Sequence, residues 1–373
     1  MSKKLGIGIL GCGNISAAYM RLGPLFNGIE VRACADLNPE AAKARAEEFG
    51  LRADSIDDLL AADDIDIIVN LTVPNAHFEV SKRILEAGKN VYSEKPFVLS
   101  VEEGQALKTL AEAKGLRVGS APDTFLGGTH QLARHLVDTG AVGKITSGTC
   151  FVQSPGMEMW HPNPDFFFQP GGGPILDLGP YYISNLVQML GPVARVTALS
   201  SSASEYRTIT SEPRNGEKIK VETPTTIHAV MQFASGAQVT YVASWDVWQH
   251  GHSNMELYGQ SGTLHVPDPN FFGGELRMTE KSSFVTVSEN WPHPFSVAND
   301  NGRANYRCAG LADMAMGIIE GRAHRCSLEF SLHVVDVMTA ILHSGETKTT
   351  IELGTTCDRP EALGPDAAKA LLA

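Results

Sequence analysis

The run Leu5-Gly6-Ile7-Gly8-Ile9-Leu10 is apolar and strand-like, and it breaks into Gly11-Cys12-Gly13-Asn14-Ile15-Ser16 just ahead of a helical pattern. Strand, glycine turn and helix in that order place the unpaired N–H groups of a helix start at the end of a buried strand, where they can meet a pyrophosphate. Ser16 stands where the third glycine of a G-x-G-x-x-G pattern is expected, and it is still small enough for close helix–strand packing. A tight strand-to-helix turn with no ligand is the plain alternative, so the surrounding pattern has to decide.

That pattern is an alternation. Residues 5–10, 30–35, 66–71, 90–92 and 117–119 read as strands, and 39–49, 77–87 and 101–113 as helices, with Pro39 opening one helix and Gly88 and Gly115 closing others. The result is a doubly wound α/β fold with a parallel sheet. Beyond residue 122 the pattern becomes one helix (126–138), then β-rich stretches at 145–153, 225–233 and 237–244, then helices at 306–320 and 331–343. Sequential strands there are expected to pair antiparallel. The division predicted is 1–122 for a dinucleotide-binding domain and 123–373 for a substrate-binding domain.

Composition narrows the function classes. A formal charge of −12 over 373 residues, with no run of Lys and Arg interleaved with aromatics, argues against a nucleic-acid partner. No apolar run reaches the roughly 20 residues of a membrane span, and Met1-Ser2-Lys3-Lys4 leads into a strand rather than a signal peptide, so a cytoplasmic location is expected. The six cysteines are scattered without a C-x-x-C pair and read as reduced, mostly buried thiols. His250-Gly251-His252 lacks a third ligand nearby, so no metal site is expected.

Three further segments carry chemistry. Asp36 closes the second strand, where a carboxylate accepts hydrogen bonds from ribose hydroxyls and repels a 2′-phosphate; with no Arg or Lys directly after it, NAD is favoured over NADP. Helix capping is the alternative role, and Asn38 before Pro39 fills it equally well. Thr72-Val73-Pro74-Asn75-Ala76-His77 and Ser93-Glu94-Lys95-Pro96 lie at the ends of the third and fourth strands, which face the ligand crevice in an open α/β sheet. A partly desolvated lysine at Lys95 suits proton relay from a hydroxyl. In Gly171-Gly172-Gly173-Pro174-Ile175-Leu176-Asp177-Leu178-Gly179-Pro180-Tyr181, Asp177 and Tyr181 are one helical turn apart, with Pro180 suited to the first turn. From these residues alone, Asp177 as an N-terminal cap and Tyr181 as a core aromatic is the better reading. Trp160, His161, Asn163, Asp165 and Gln169, with Asp123, Trp245, His250 and Arg307, are candidates for sugar or polyol recognition.

Together these segments resemble the glucose-fructose oxidoreductase and inositol dehydrogenase (Gfo/Idh/MocA) family over essentially the whole chain. Glu94-Lys95-Pro96 matches its E-K-P motif, and the segment from Gly171-Gly172-Gly173 to Gly191 resembles its G-G-G-x-L-x-D-x-G-x-H-x-x-D-x-x-x-x-L-G pattern. The resemblance implies an N-terminal Rossmann domain and an α+β C-terminal domain with a large, mostly antiparallel, open-faced sheet that builds a homodimer or homotetramer. It implies that Gly11, Gly13, Asn14 and Ile15 bind the pyrophosphate, that Asp36 binds the ribose, and that Thr72, Pro74, Asn75, His77 and Glu94 line the nicotinamide half. Lys95, Asp177 and Tyr181 are then the catalytic group, with Asp123, Trp160, His161 and Arg307 toward the substrate. The implied activity is NAD-dependent oxidation of a CH–OH group of a sugar, sugar derivative or cyclitol. Keto-sugar reduction, trans-dihydrodiol oxidation and a non-enzymatic NAD- or sugar-responsive regulator are the alternatives. Two departures stand out. Many members carry His at Tyr181 and Asp at Ser184, and Ala121-Pro122-Asp123-Thr124 replaces a stretch that often holds Asn and Arg.

Overall fold

The computed structural model describes residues 4–373. They form two compact units, one of the described residues up to 128 with 292–335 and 360–373, the other of 129–291 and 336–359. The chain therefore returns to its first unit twice. A boundary drawn at 122 from local pattern does not contain those returns, because they rest on long-range packing.

The first unit is built on six strands, β1 (Leu5–Leu10), β2 (Ile29–Ala35), β3 (Arg52–Ala53), β4 (Ile67–Asn70), β5 (Asn90–Ser93) and β6 (Val118–Ser120), in the order β3-β2-β1-β4-β5-β6. Every pairing is parallel. Parallel strands are covered on both faces, which is why β1 and β4 are buried at every residue and read as continuous apolar runs. Helices α1 (Ser16–Leu22), α2 (Pro39–Phe49), α3 (Ile56–Ala61), α4 (His77–Glu86) and α5 (Val101–Lys114) alternate with the strands. Their limits follow the capping chemistry. Asn38 accepts the Glu40 N–H at 3.1 Å ahead of Pro39, and Ser100 accepts the Glu103 N–H at 3.2 Å while the Glu103 carboxylate accepts the Leu99 N–H at 3.0 Å. Order reverses between β1 and β4, and the crevice at the carboxyl ends of these strands is where such sheets bind ligands.

The second unit holds a nine-stranded sheet in the order β16-β15-β14-β13-β7-β12-β11-β8-β17. Its strands are β7 (Ile145–Gln153), β8 (Val193–Ser201), β11 (Thr226–Phe233), β12 (Gln238–Ser244), β13 (Met255–Gly259), β14 (Gly262–Val266), β15 (Leu276–Glu280), β16 (Thr286–Glu289) and β17 (Ile351–Glu352); β9 (Tyr206–Thr208) and β10 (Lys218–Lys220) form a separate pair. Along β8 and β11 buried and exposed residues alternate, the signature of a sheet covered on one face. Helices α6 (Gly128–Asp138) and α7 (Pro174–Leu190) belong to this region, and α7 packs on β7, β11 and β12. Sequential strands that pair do so antiparallel as expected, while β7 and β12, which are not sequential, run parallel at the centre of the sheet. The chain between them carries α7 and four strands, a crossover long enough to bring β12 back in the same direction as β7.

Candidate active site

In the first unit, Gly11 has φ 105°, and a Cβ there would lie 2.7 Å from the Leu71 carbonyl oxygen, so only glycine is accommodated without strain. A Cβ on Gly13 would meet nothing within 4 Å, which leaves the loop open on that side. Ser16 is buried and its hydroxyl donates to the Gly13 carbonyl at 2.6 Å, bracing the turn from the position of the missing third glycine. The Asp36 carboxylate accepts the Cys12 N–H at 2.7 Å with one oxygen and the Asn38 N–H at 2.8 Å with the other. Asn38 caps α2, so Asp36 is not needed for that role, and each of its oxygens keeps a lone pair for a hydroxyl. Asp36 lines a cleft of about 460 Å³ together with Asp54, Asp57 and Arg83. Arg83 pairs with Asp57 and Arg52 with Asp54, at 2.8 Å for the latter, so both cations already have carboxylate partners. Such a rim suits ribose hydroxyls better than a 2′-phosphate, and the residues present fit a dinucleotide.

The strand-end loops of β4 and β5 are tied together from beneath. His77, placed by the motif on the nicotinamide side, is only 1% exposed. One ring nitrogen lies 2.7 Å from the Pro96 carbonyl oxygen and the other 3.0 Å from that of Thr72. Both neighbours are carbonyl acceptors, so the neutral ring, which carries one N–H, donates to one loop at a time; burial lowers its pKa against the upward pull of the two carbonyls. Thr72 is held by Asn70, whose amide also reaches Ser81 at 3.0 Å; Pro74 is half-buried and Asn75 exposed.

Glu94, 8% exposed, accepts three hydrogen bonds. One carboxylate oxygen accepts the Tyr19 hydroxyl at 3.0 Å and the Arg307 guanidinium at 2.7 Å, and the other accepts the Lys95 N–H at 2.9 Å. Lys95 precedes a cis Pro96 and is half-buried. Asp123, 2% exposed, accepts the Gly310 N–H at 3.1 Å. Burial pushes its pKa up to about 6 against the opposing pull of Arg307. Of the substrate candidates, Asp123 and Arg307 thus sit in one buried cluster with Glu94.

In the second unit, Gly173 (φ 92°) precedes α7 and Pro174 occupies its first turn. The helix therefore starts one proline earlier than expected, and Pro180 lies inside it. Asp177 and Tyr181 remain one turn apart on α7, Asp177 half-buried in the first turn and Tyr181 6% exposed. The neighbouring Tyr182, which motif matching passes over, donates its hydroxyl to Asp268 at 3.1 Å and accepts from the Asn254 amide at 3.0 Å. Burial raises the Asp268 pKa. The Tyr241 hydroxyl on β12 is buried without a hydrogen-bond partner. Trp160 is 64% exposed and meets the His161 ring edge-on at 5.4 Å, while Asp165 is paired with Arg214. Trp245 belongs to the apolar core with Phe168 and Met157, which removes it as a recognition surface. His250 and His252 stack at 5.9 Å, and the His252 N–H donates to the His250 ring at 3.2 Å. All six cysteines are free and buried.

Residues 5–121 match the family model of the NAD-binding Rossmann-fold oxidoreductases, and residues 130–265 match the GFO/IDH/MocA C-terminal domain. The matched stretch spans 58% of an uncharacterized oxidoreductase of Schizosaccharomyces pombe (26% identity, 54% of this chain). It spans 62% of the dTDP-3,4-didehydro-2,6-dideoxy-alpha-D-glucose 3-reductase of Saccharopolyspora spinosa (31% identity, 55% of this chain). The levoglucosan dehydrogenase of Pseudarthrobacter phenanthrenivorans is 26% identical over 70% of this chain and 73% of its own length. A solved structure of levoglucosan dehydrogenase in complex with NADH and levoglucosan shares the fold, with a TM-score of 0.78 at 22% identity over 94% of this chain and 99% of that one. The chain belongs to the GFO/IDH/MocA family of NAD-binding oxidoreductases.

Proposed function

We propose that the protein is an NAD-dependent dehydrogenase acting on a CH–OH group of a sugar, sugar derivative or cyclitol. The observation that carries this reading is the position of Glu94-Lys95 at the carboxyl end of β5, in the sheet whose β1 end bears the glycine loop and whose β2 end bears the doubly anchored Asp36. Bound NAD supplies the hydride acceptor. The chain's own part is to hold the ribose hydroxyls at Asp36, to leave room for the pyrophosphate over Gly13, and to move the hydroxyl proton. Lys95 and Tyr181 are the groups assigned to that proton, and Asp177 is assigned to orienting the hydroxyl. General acid–base help of this kind is worth about 10² to 10⁴ in rate.

The substrate class is supported by relatives named for sugars and cyclitols, including levoglucosan dehydrogenase and inositol 2-dehydrogenase. The dTDP-sugar 3-reductases favour a second reading, the same chemistry run as reduction of a keto-sugar. A panel of aldoses, inositols, anhydrosugars and keto-sugars, followed by NADH formation or consumption, tests both. Binding of NAD without turnover on any of them points instead to a sugar-responsive regulator. Among the described residues no helix is long and apolar enough to cross a membrane, and a cytoplasmic location fits the reading. Leu199 and Val230 are exposed on one face of the nine-stranded sheet, and a homodimer or homotetramer formed through that face is testable by light scattering.

A further inference from the structure

Arg307 lies 213 residues beyond Glu94 in sequence, and its guanidinium meets the Glu94 carboxylate at 2.7 Å with the two side chains 19% and 10% exposed. A pair so far out of water is costly to assemble, and removing one partner strands the other charge. The surrounding segment is built to hold the arginine in place. Asp300 accepts Arg21 at 2.8 Å and Asn305 at 2.8 Å, Asn299 accepts the Asn305 N–H at 2.7 Å, and the Tyr306 hydroxyl donates to the Val297 carbonyl at 3.0 Å. Cys308, directly after Arg307, adopts φ 87°, a left-handed conformation that a non-glycine residue reaches only under constraint. From the other side, the Arg307 guanidinium stacks 5.8 Å from the centre of the Tyr19 ring, whose hydroxyl donates to the same Glu94 oxygen. The second Glu94 oxygen accepts the Lys95 N–H.

We propose that Arg307 is a positioning residue: it clamps the Glu94 carboxylate, and through Glu94 it fixes the backbone of Lys95 and the nicotinamide-side loop. This replaces the substrate-binding role that its sequence position suggests, and it rests on the assignment of Lys95 to proton transfer. The guanidinium supplies a charge-assisted donor to Glu94 and a planar face over the Tyr19 ring, and a lysine reproduces the charge without the planar face.

The test uses Arg307→Ala, Arg307→Lys, Glu94→Gln and the double variant Arg307→Ala/Glu94→Gln in the full chain. A clamp predicts that Arg307→Ala lowers kcat about 100-fold, as expected for a misplaced catalytic group, with KM for the sugar changed by less than about threefold. Arg307→Lys should fall between, and millimolar guanidinium should restore part of the Arg307→Ala rate. The double variant should be little worse than either single one, because both remove one coupled interaction. An unchanged kcat in Arg307→Lys and Arg307→Ala, full additivity with Glu94→Gln, or an effect confined to sugar KM overturns the proposal. NADH affinity of the same four variants should show the same non-additivity, and full additivity there also overturns it. That readout separates the two ideas: full turnover in Lys95→Ala removes the proposed catalytic role of Lys95, while the NADH cycle still decides whether Arg307 acts through Glu94.

Discussion

The two units bury their polar groups in different ways. In the first, Tyr19, Glu94, Asp123 and Arg307 reach one cluster from strand-end loops, a helix and a returning segment, and Glu94 joins three of its contacts. In the second, α7 is buried along almost its whole length against a sheet, and polar contacts near it are made by strand and loop residues far away in sequence, Asp268 and Asn254 at Tyr182. A parallel sheet gathers its chemistry at one edge, where short motifs describe it. A helix laid across a mostly antiparallel sheet draws its partners from the face beneath, which no short motif describes.

The largest effect should come from striking each unit's catalytic candidate in turn. Lys95→Ala and Asp177→Asn are each expected to lower kcat by about 10² to 10⁴ while melting temperature changes little, read as NADH formation on the preferred sugar. A large loss for one and none for the other would remove the unaffected residue from the catalytic assignment.

One buried group from each unit titrates with opposite sign. Asp123 is buried with its pKa raised to about 6, so between about pH 4 and 6 the folded state keeps a proton that the unfolded chain has released. Stability from this group is full below pH 4 and is lost as pH rises through 6, a difference of about 3 kcal/mol. Asp123→Asn should therefore melt higher than the parent at pH 7.5, about the pH of a standard assay, and equally at about pH 4. His130 in the second unit is the opposite case. Its ring lies 2.8 Å from the Phe271 carbonyl oxygen and 3.1 Å from the Asn185 amide, and burial lowers its pKa to about 4. Stability from the neutral ring is present above about pH 6.5 and lost as pH falls through 4, again by about 3 kcal/mol. His130→Asn should flatten the acid side of the melting curve, and a parallel shift at all pH values would rule out titration of His130 as its cause.

These cases show what sequence reading reaches. The helix at Pro39–Phe49 is legible to the residue because Asn38, Pro39 and Gly50 are local signals, and the strand at Ile145–Gln153 because its composition and flanking turn are local too. Asp36, Glu94 and Asp177 are legible as candidates because spacing places them at strand ends and on a helix turn. The use of Gly173-Pro174 as the true start of α7 was hidden by Pro180, an equally good starting residue. The parallel β7–β12 pair, the His77 contacts and the Arg307–Glu94 clamp depend on partners set by the whole fold.

A smaller effect is expected at the cofactor rim. Asp36→Ser removes the carboxylate that meets the Cys12 and Asn38 N–H groups and should weaken NAD about tenfold, roughly the loss of one charge-assisted hydrogen-bond set. NADP should weaken less or improve, measured as the ratio of the two KM values. An unchanged ratio would mean that Asp36 serves the turn alone.

The smallest effect should come from Tyr241→Phe. The hydroxyl is fully buried on β12 and has no hydrogen-bond partner, so the folded state already carries its desolvation cost without a bond to offset it. Burial raises its pKa, with the charges of Asp268 and Asp177 adding in the same direction, so the group stays a neutral phenol. Removing the oxygen leaves the ring contact with Tyr182, 5.9 Å between centres, in place. Stability should rise by up to about 1 kcal/mol, read as a higher melting temperature with unchanged kcat. A tenfold fall in kcat at unchanged stability would instead give this hydroxyl a role beside Asp177, and the second unit would then hold a catalytic partner as hidden from sequence as Arg307 is in the first.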